Sequence, residues 1–215
     1  KPDHILTLGQ PRNDVFYDKD GMFTPSHQLK KAAKGKKVIL YAPTHRQEGK
    51  TVFPLNEQFD FDKLNQWCVD HNMVFVIRRH FYHKDEEVDF SMYSNITDIT
   101  KKSMDIQEIL MDTDILISDY SSTYIDYLLL DRPLIFYNFD YEDYLQNDRE
   151  MYYDYDEVTP GYKAATFDEL MTELDSIAKD EDHFVEERQR VRDLFYCKEG
   201  QQMVGEKLLE FLKDL

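Results

Sequence analysis

Cysteine is scarce in this 215-residue sequence, with only Cys68 and Cys197. Two thiols make no disulfide framework, and neither has neighbours at metal-ligand spacing. They are expected to be ordinary intracellular thiols, in keeping with a cytoplasmic location. Long apolar runs are missing too, since none approaches the roughly 20 residues that span a bilayer. Positive charge is in deficit: 26 basic residues stand against 43 acidic ones, a formal net charge of −17. That balance argues against a nucleic-acid surface, which needs a basic footprint, and disfavours direct docking on anionic lipid. It does not exclude a small anionic ligand, which a few local Arg, His and backbone N–H groups can hold. There is no G-x-G-x-x-G and no P-loop, so neither a dinucleotide site of that type nor an NTPase is indicated. The opening Lys1-Pro2-Asp3-His4 lacks an initiator Met and a signal-peptide core, so the chain is expected to be a piece excised from a longer protein.

What is present is a globular composition, 41% hydrophobic and 32% charged, of a length that suits a single domain. Continuous apolar runs at Lys37–Pro43, Met73–Arg78, Asp114–Ser118 and Leu134–Tyr137 predict buried parallel strands. Asn95–Thr100 is expected to add a short one. Helical spacing occurs at Phe61–His71, Ile106–Met111, Thr123–Leu130, Phe167–Ala178, His183–Phe195 and Met203–Leu212. The N-terminal stretch is less regular, and Lys30–Lys37 reads as a basic connector. Strands alternating with helices predict an α/β domain with a parallel sheet and right-handed crossovers.

The most informative segment is Asp114–Pro133, where a buried strand runs into Asp119 and Ser121, Ser122 and Thr123 open a helix. Helix N-termini expose N–H groups and a positive dipole end, so a phosphate there is stabilised by both. The alternative is that Ser121 or Ser122 is simply an N-cap. Two other strand ends supply matching groups, Thr44-His45-Arg46 and Arg78-Arg79-His80 followed by His83. Arg can hold a diphosphate by paired hydrogen bonds, and His can act as acid or base near neutral pH. Each Arg could equally serve a surface ion pair. His80, His83 and Asp85 have no specific metal spacing. The tyrosine-rich stretch Tyr141–Glu157 could stack bases, but its acidity argues against nucleic acid, and packing against the sheet is the expected role.

These residues resemble a family. Gly9–Asp14 (GQPRND), Tyr41–Arg46 (YAPTHR), the R-x-H at Arg78–His80, and the long blocks Ser118–Tyr137 and Phe139–Gly161 are together similar to the CDP-glycerol glycerophosphotransferases. These are the teichoic acid polymerases and their wall- or capsule-polymer relatives. The resemblance implies a Rossmann-like parallel sheet with helices on both faces, one half of a GT-B-type transferase. It further implies a CDP-glycerol or CDP-ribitol donor held by this chain, the C-terminal half. The acceptor, a poly(alditol phosphate) or a lipid-linked one, would be presented by an N-terminal domain at the inner face of the membrane. Its hydroxyl would attack the β-phosphorus and release CMP. By the same resemblance His80 is the candidate catalytic residue. Thr44, Arg46, Arg78, Asp119, Ser121, Ser122, Thr123 and Asp126 are the candidate donor and phosphate ligands, with orienting roles open for Asp119 and Asp126.

The sequence departs from the family pattern at His45, Phe81 and Tyr162, and the tail Glu199–Gly205 lacks the family's basic residues, which weakens the case for a donor contact there. No cofactor is indicated, and a divalent metal is left open. Two alternatives stand beside this reading: a GT-B glycosyltransferase using another nucleotide sugar, and a non-catalytic module binding a nucleotide or an anionic polymer.

Overall fold

The computed structural model describes residues 7–44, 55–79, 88–147 and 151–213. A 3-10 turn at Pro11–Tyr17 precedes α1 (Gln28–Ala33) and β1 (Lys37–Tyr41). Then follow α2 (Leu55–Gln58), α3 (Phe61–Asp70), β2 (Met73–Ile77), β3 (Ile96–Asp98), α4 (Ile106–Asp112) and β4 (Ile115–Ser118). Next come α5 (Thr123–Tyr127) with a 3-10 extension over Leu128–Leu130, β5 (Leu134–Tyr137), α6 (Tyr141–Asn147), α7 (Tyr155–Val158) and β6 (Tyr162–Ala164). The chain closes with α8 (Phe167–Ala178), α9 (Val185–Phe195) and α10 (Gly205–Lys213).

The six strands of the described residues form one parallel sheet in the order β3-β2-β1-β4-β5-β6. Strand side chains alternate between faces, and each face carries its own core. Ile39, Tyr41, Phe75, Ile77, Ile115, Ile117 and Tyr137 meet α3 and α8 on one side. Val38, Leu40, Val76, Leu116, Leu134 and Phe136 meet α1, α4 and α5 on the other. Burial on both faces is why these strands read as unbroken apolar runs instead of alternating ones.

Helix ends follow their caps. Asp60 accepts from Lys63 N (2.9 Å) at the start of α3, and Asp105 accepts from Gln107 N (2.9 Å) at the start of α4. At α8, Thr166 accepts from Glu169 N while the Glu169 carboxylate accepts from Ala165 N. Leu170, Leu174 and Ile177 of α8 face the sheet, as the 3.6-residue period requires. Cys68 of α3 lies in the same core, where burial pushes its thiol up to about 12. It is a packing residue and stays protonated at neutral pH.

The structure departs from the sequence reading in three places. Lys30–Ala33 completes a helix, so only Lys34–Lys36 serve as a connector. That helix is set by a remote group: Asp112, at the end of α4, accepts from Lys30 N (3.1 Å) and from His27 Nδ1 (2.6 Å). The sixth strand, β6, spans three residues and has no apolar run to announce it. The tyrosine-rich stretch forms two short helices, α6 and α7. Among the described residues no helix is long and apolar enough to cross a membrane.

β6 reaches its place beside β5 through Gly161, where a Cβ would stand 2.5 Å from the Leu134 carbonyl oxygen. Gly161→Ala is therefore expected to cost about 1–3 kcal/mol. The check is a lower urea midpoint with an unchanged slope; an unchanged midpoint would mean that β6 moves away freely.

Candidate functional site

In a 3-2-1-4-5-6 sheet the connections leave β1 and β4 in opposite directions, opening a crevice beyond their carboxyl ends. That crevice is where this sequence places its polar residues. β1 leads into Ala42-Pro43-Thr44, β4 into Asp119-Tyr120-Ser121, and β2 into Arg78-Arg79, all at the same end of the sheet. Ala42 N donates to Ile117 O (2.9 Å) and Arg78 N to Tyr41 O (2.9 Å), so the three strand ends are knit together.

Asp119 is buried beneath this crevice. Its carboxylate accepts from Thr44 N (2.9 and 3.0 Å), Thr44 Oγ1 (2.6 Å), Tyr120 N (2.6 Å) and Ser121 N (3.3 Å). One side chain thus fixes the loop after β1 against the loop after β4. The Asp119 backbone carbonyl accepts from Tyr155 Oη (3.2 Å), which ties α7 to the same point.

Above it lies an open cleft of about 1110 Å³. Thr44, Arg78, Ser121, Ser122 and Thr123 line it, so five of the candidate residues come together. The Ser121 hydroxyl accepts from Thr123 N (3.3 Å) and donates to Thr123 Oγ1 (2.9 Å), which holds the turn in shape. Ser122 precedes α5 yet makes no side-chain cap, and it is exposed in the cleft.

Arg78 is half-buried, and its Nη2 donates to Met104 O (3.0 Å). Its Nη1 is buried with no hydrogen-bond partner among the described residues. Burial lowers the Arg78 pKa, opposed by Asp105, yet a guanidinium keeps its charge at neutral pH. A cation with spare donor capacity therefore lines the cleft. Arg79 lines the cleft as well but is buried and pairs with Asp98 (2.9 Å), bracing β2 against β3.

Asp119 and Asp126 are not among the lining residues. Asp126, on α5, is buried and accepts from Arg12 Nε (3.1 Å), Asn13 Nδ2 (2.8 Å), Tyr196 Oη (2.6 Å) and Gln107 Nε2 (3.3 Å). It anchors the helix that carries the serine turn to the N-terminal segment, α4 and the end of α9. His80 and Arg46 lie outside the described residues, as do His45, His83 and Asp85.

Tyrosines also line the cleft. Tyr120 stacks on Tyr144 with ring centroids 3.9 Å apart and donates to Asp140 (3.0 Å). Tyr155 packs at its base, as expected of a residue facing the sheet, but Tyr152 and Tyr153 stand at the mouth and are exposed. The density of tyrosine after Phe139 was the available signal, and packing accounts for part of it.

A parallel α/β sheet of this order, with a cationic and hydroxyl-rich cleft at its switch point, defines a Rossmann-like protein of the kind that forms one half of a GT-B-type transferase. The chain belongs to the CDP-glycerol:poly(glycerophosphate) glycerophosphotransferase family, whose model matches residues 1–211. It is 35% identical over 195 residues to the teichoic acid poly(ribitol-phosphate) polymerase of Bacillus spizizenii, covering 86% of this chain and 30% of that one. It is 32% identical over 207 residues to the teichoic acid glycerol-phosphate transferase of Staphylococcus aureus, covering 91% and 50%. The solved wall teichoic acid polymerase TagF superposes on the whole chain and 53% of its own length, with a TM-score of 0.76 at 29% identity. The chain thus spans about half or less of the proteins it matches.

Removing the Asp119 carboxylate strands the buried N–H of Thr44 and its neighbours. Asp119→Ala is expected to lose about 2–4 kcal/mol in chemical denaturation, whereas Asp119→Asn keeps one acceptor oxygen and loses less. Parent-like stability of the alanine variant would show that the carboxylate does not hold the crevice.

Proposed function

We propose that this chain supplies the donor-binding side of a transferase moving glycerol phosphate or ribitol phosphate from a CDP-alditol to a growing wall or capsule polymer. The observation that carries the reading is Arg78, whose buried Nη1 donor has no protein partner among the described residues and which lines the same cleft as the exposed Ser122 hydroxyl. A desolvated guanidinium with unused donors matches a diphosphate, which brings acceptors and opposite charge together. The Ser122 and Thr123 hydroxyls add short donors around it, and Arg46 joins them on the strength of the family motif. Thr44 and Ser121, whose own donors are engaged by Asp119 and Thr123, shape the wall beside them. Asp119 and Asp126 act through other residues, by fixing the turn and the helix that carry those donors.

In the reaction an acceptor hydroxyl oxygen forms a bond to the β-phosphorus while the bond from that phosphorus to the bridging oxygen breaks. CMP leaves with the electron pair, and the hydroxyl proton passes to a base. Positioned positive charge on the phosphates is the main requirement of such a transfer. His80 is the proposed catalytic histidine, by its place in the R-x-H motif. The acceptor and the remaining catalytic groups belong to another part of a longer protein, working at the inner face of the membrane.

CDP-glycerol and CDP-ribitol are expected to raise the melting temperature of this chain, and UDP-sugars are not. Arg78→Ala is expected to weaken CDP-glycerol binding by roughly 10-fold or more in calorimetric titration, the range of a hydrogen bond to a charged group. Stabilisation by a UDP-sugar and by neither CDP compound would overturn the substrate assignment. In the full-length enzyme, His80→Ala that left polymerisation unchanged would remove the catalytic role.

A further inference from the structure

The mouth of the cleft carries aromatic surface that the fold does not use. Tyr152 is 95% exposed and Tyr153 39% exposed, although both line the cleft together with Met151 and Phe195. The three rings form a chain of edge-on contacts, Tyr152 to Tyr153 at 5.2 Å and Tyr153 to Phe195 at 5.6 Å. Phe195 is the last residue of α9, and the next residue, Tyr196, is buried and donates to Asp126. The far end of the ring chain is therefore anchored to the helix that carries the serine turn.

We infer that Tyr152 and Tyr153 form a stacking platform for the nucleobase of the donor, a nucleoside diphosphate whose phosphates sit at Ser121, Ser122 and Arg78. This rests on the reading of the cleft as a CDP-alditol site and adds the residues that hold the base. Every nucleobase presents a π face, so a tyrosine platform contributes affinity without selecting the base. The surroundings favour a neutral ring over a second phosphate-bearing segment. Asp154, Asp156 and Glu157 are exposed just after the two tyrosines, and Lys163 is committed to Asp156 (2.9 Å). An anionic polymer meets like charge there, whereas a pyrimidine ring does not.

Titration of the chain with CDP and inorganic pyrophosphate tests this. The parent is expected to bind CDP more tightly than pyrophosphate. Tyr152→Ala and Tyr153→Ala together are expected to weaken CDP by a factor of about 10, leaving pyrophosphate unchanged. Tyr152→Phe should retain CDP binding, because the ring and not the hydroxyl makes the contact. Unchanged CDP affinity in the double alanine variant overturns the platform. Equal affinity of the parent for CDP and pyrophosphate overturns it too, while leaving the diphosphate reading intact. No binding of either by the parent overturns both.

Discussion

Parallel strands β1 and β4 end side by side, and the N–H groups just beyond them point into one crevice. Helices cannot satisfy those groups, because both chains turn away in opposite directions at this point. The Asp119 carboxylate does so instead, accepting from Thr44, Tyr120 and Ser121. A buried carboxylate is tolerated only when fully hydrogen-bonded, so the loops must come to it in a defined geometry. The spacing between the Thr44 side of the cleft and the serine turn follows from that requirement. Ser121 is thereby held against Thr123 within the turn, and Ser122 is left exposed in the cleft.

The same use of carboxylates recurs through the molecule and changes the meaning of the acidic composition. Asp126 gathers the N-terminal segment, α4 and the end of α9 around α5. Asp14 accepts from Val204 N (2.9 Å) and Gly205 N (2.7 Å), so α10 is capped by a residue some 190 positions away in sequence. Asp114 accepts from Val38 N (2.8 Å) at the start of β1, and Asp131 and Asp182 hold the buried Arg188. These acids act as internal acceptors for backbone N–H groups, for side-chain donors around α5 and for the buried Arg188 guanidinium. The GQPRND motif owes its form to this role: Gly9 packs on Gly200, while Asn13 and Asp14 reach Asp126 and α10. The tail after Gly200 is likewise occupied with its own docking.

The sheet was legible because strands buried on both faces carry their signal in every residue. Lys37–Tyr41, Met73–Ile77, Ile115–Ser118 and Leu134–Tyr137 all read as apolar runs, and α8 matched its 3.6-residue period. What escaped were elements whose cause lies elsewhere in the chain. α1 depends on Asp112, and β6 is three residues fitted through Gly161 against Leu134. The site was half legible. Strand-end polar residues announced Thr44, Arg78 and the serine turn, since only loops at sheet ends tolerate such clusters. No local pattern separates Arg78 from Arg79. The two are adjacent and chemically identical and both line the cleft, yet Asp98 engages Arg79 while Arg78 keeps a spare donor. That distinction is made by β3, whose register on β2 sets Asp98 opposite Ile77.

For a chain of net charge −17 to bind a diphosphate, as proposed, local electrostatics have to be separated from global ones. Exposed carboxylates act through water and salt, and beyond about 8–10 Å their field is largely screened. Inside the cleft the relevant charges are few and poorly solvated. Burial depresses the Arg78 pKa, which means that its charged form is under-solvated and gains most from an anion. The carboxylate that acts on Arg78, Asp105, is exposed and engaged as the cap of α4, while Asp119 accepts from four donor groups of the two loops. The acidic surface then works as a filter. It disfavours a nucleic acid, which needs a basic footprint, whereas a compact diphosphate would need only the few desolvated donors of the cleft.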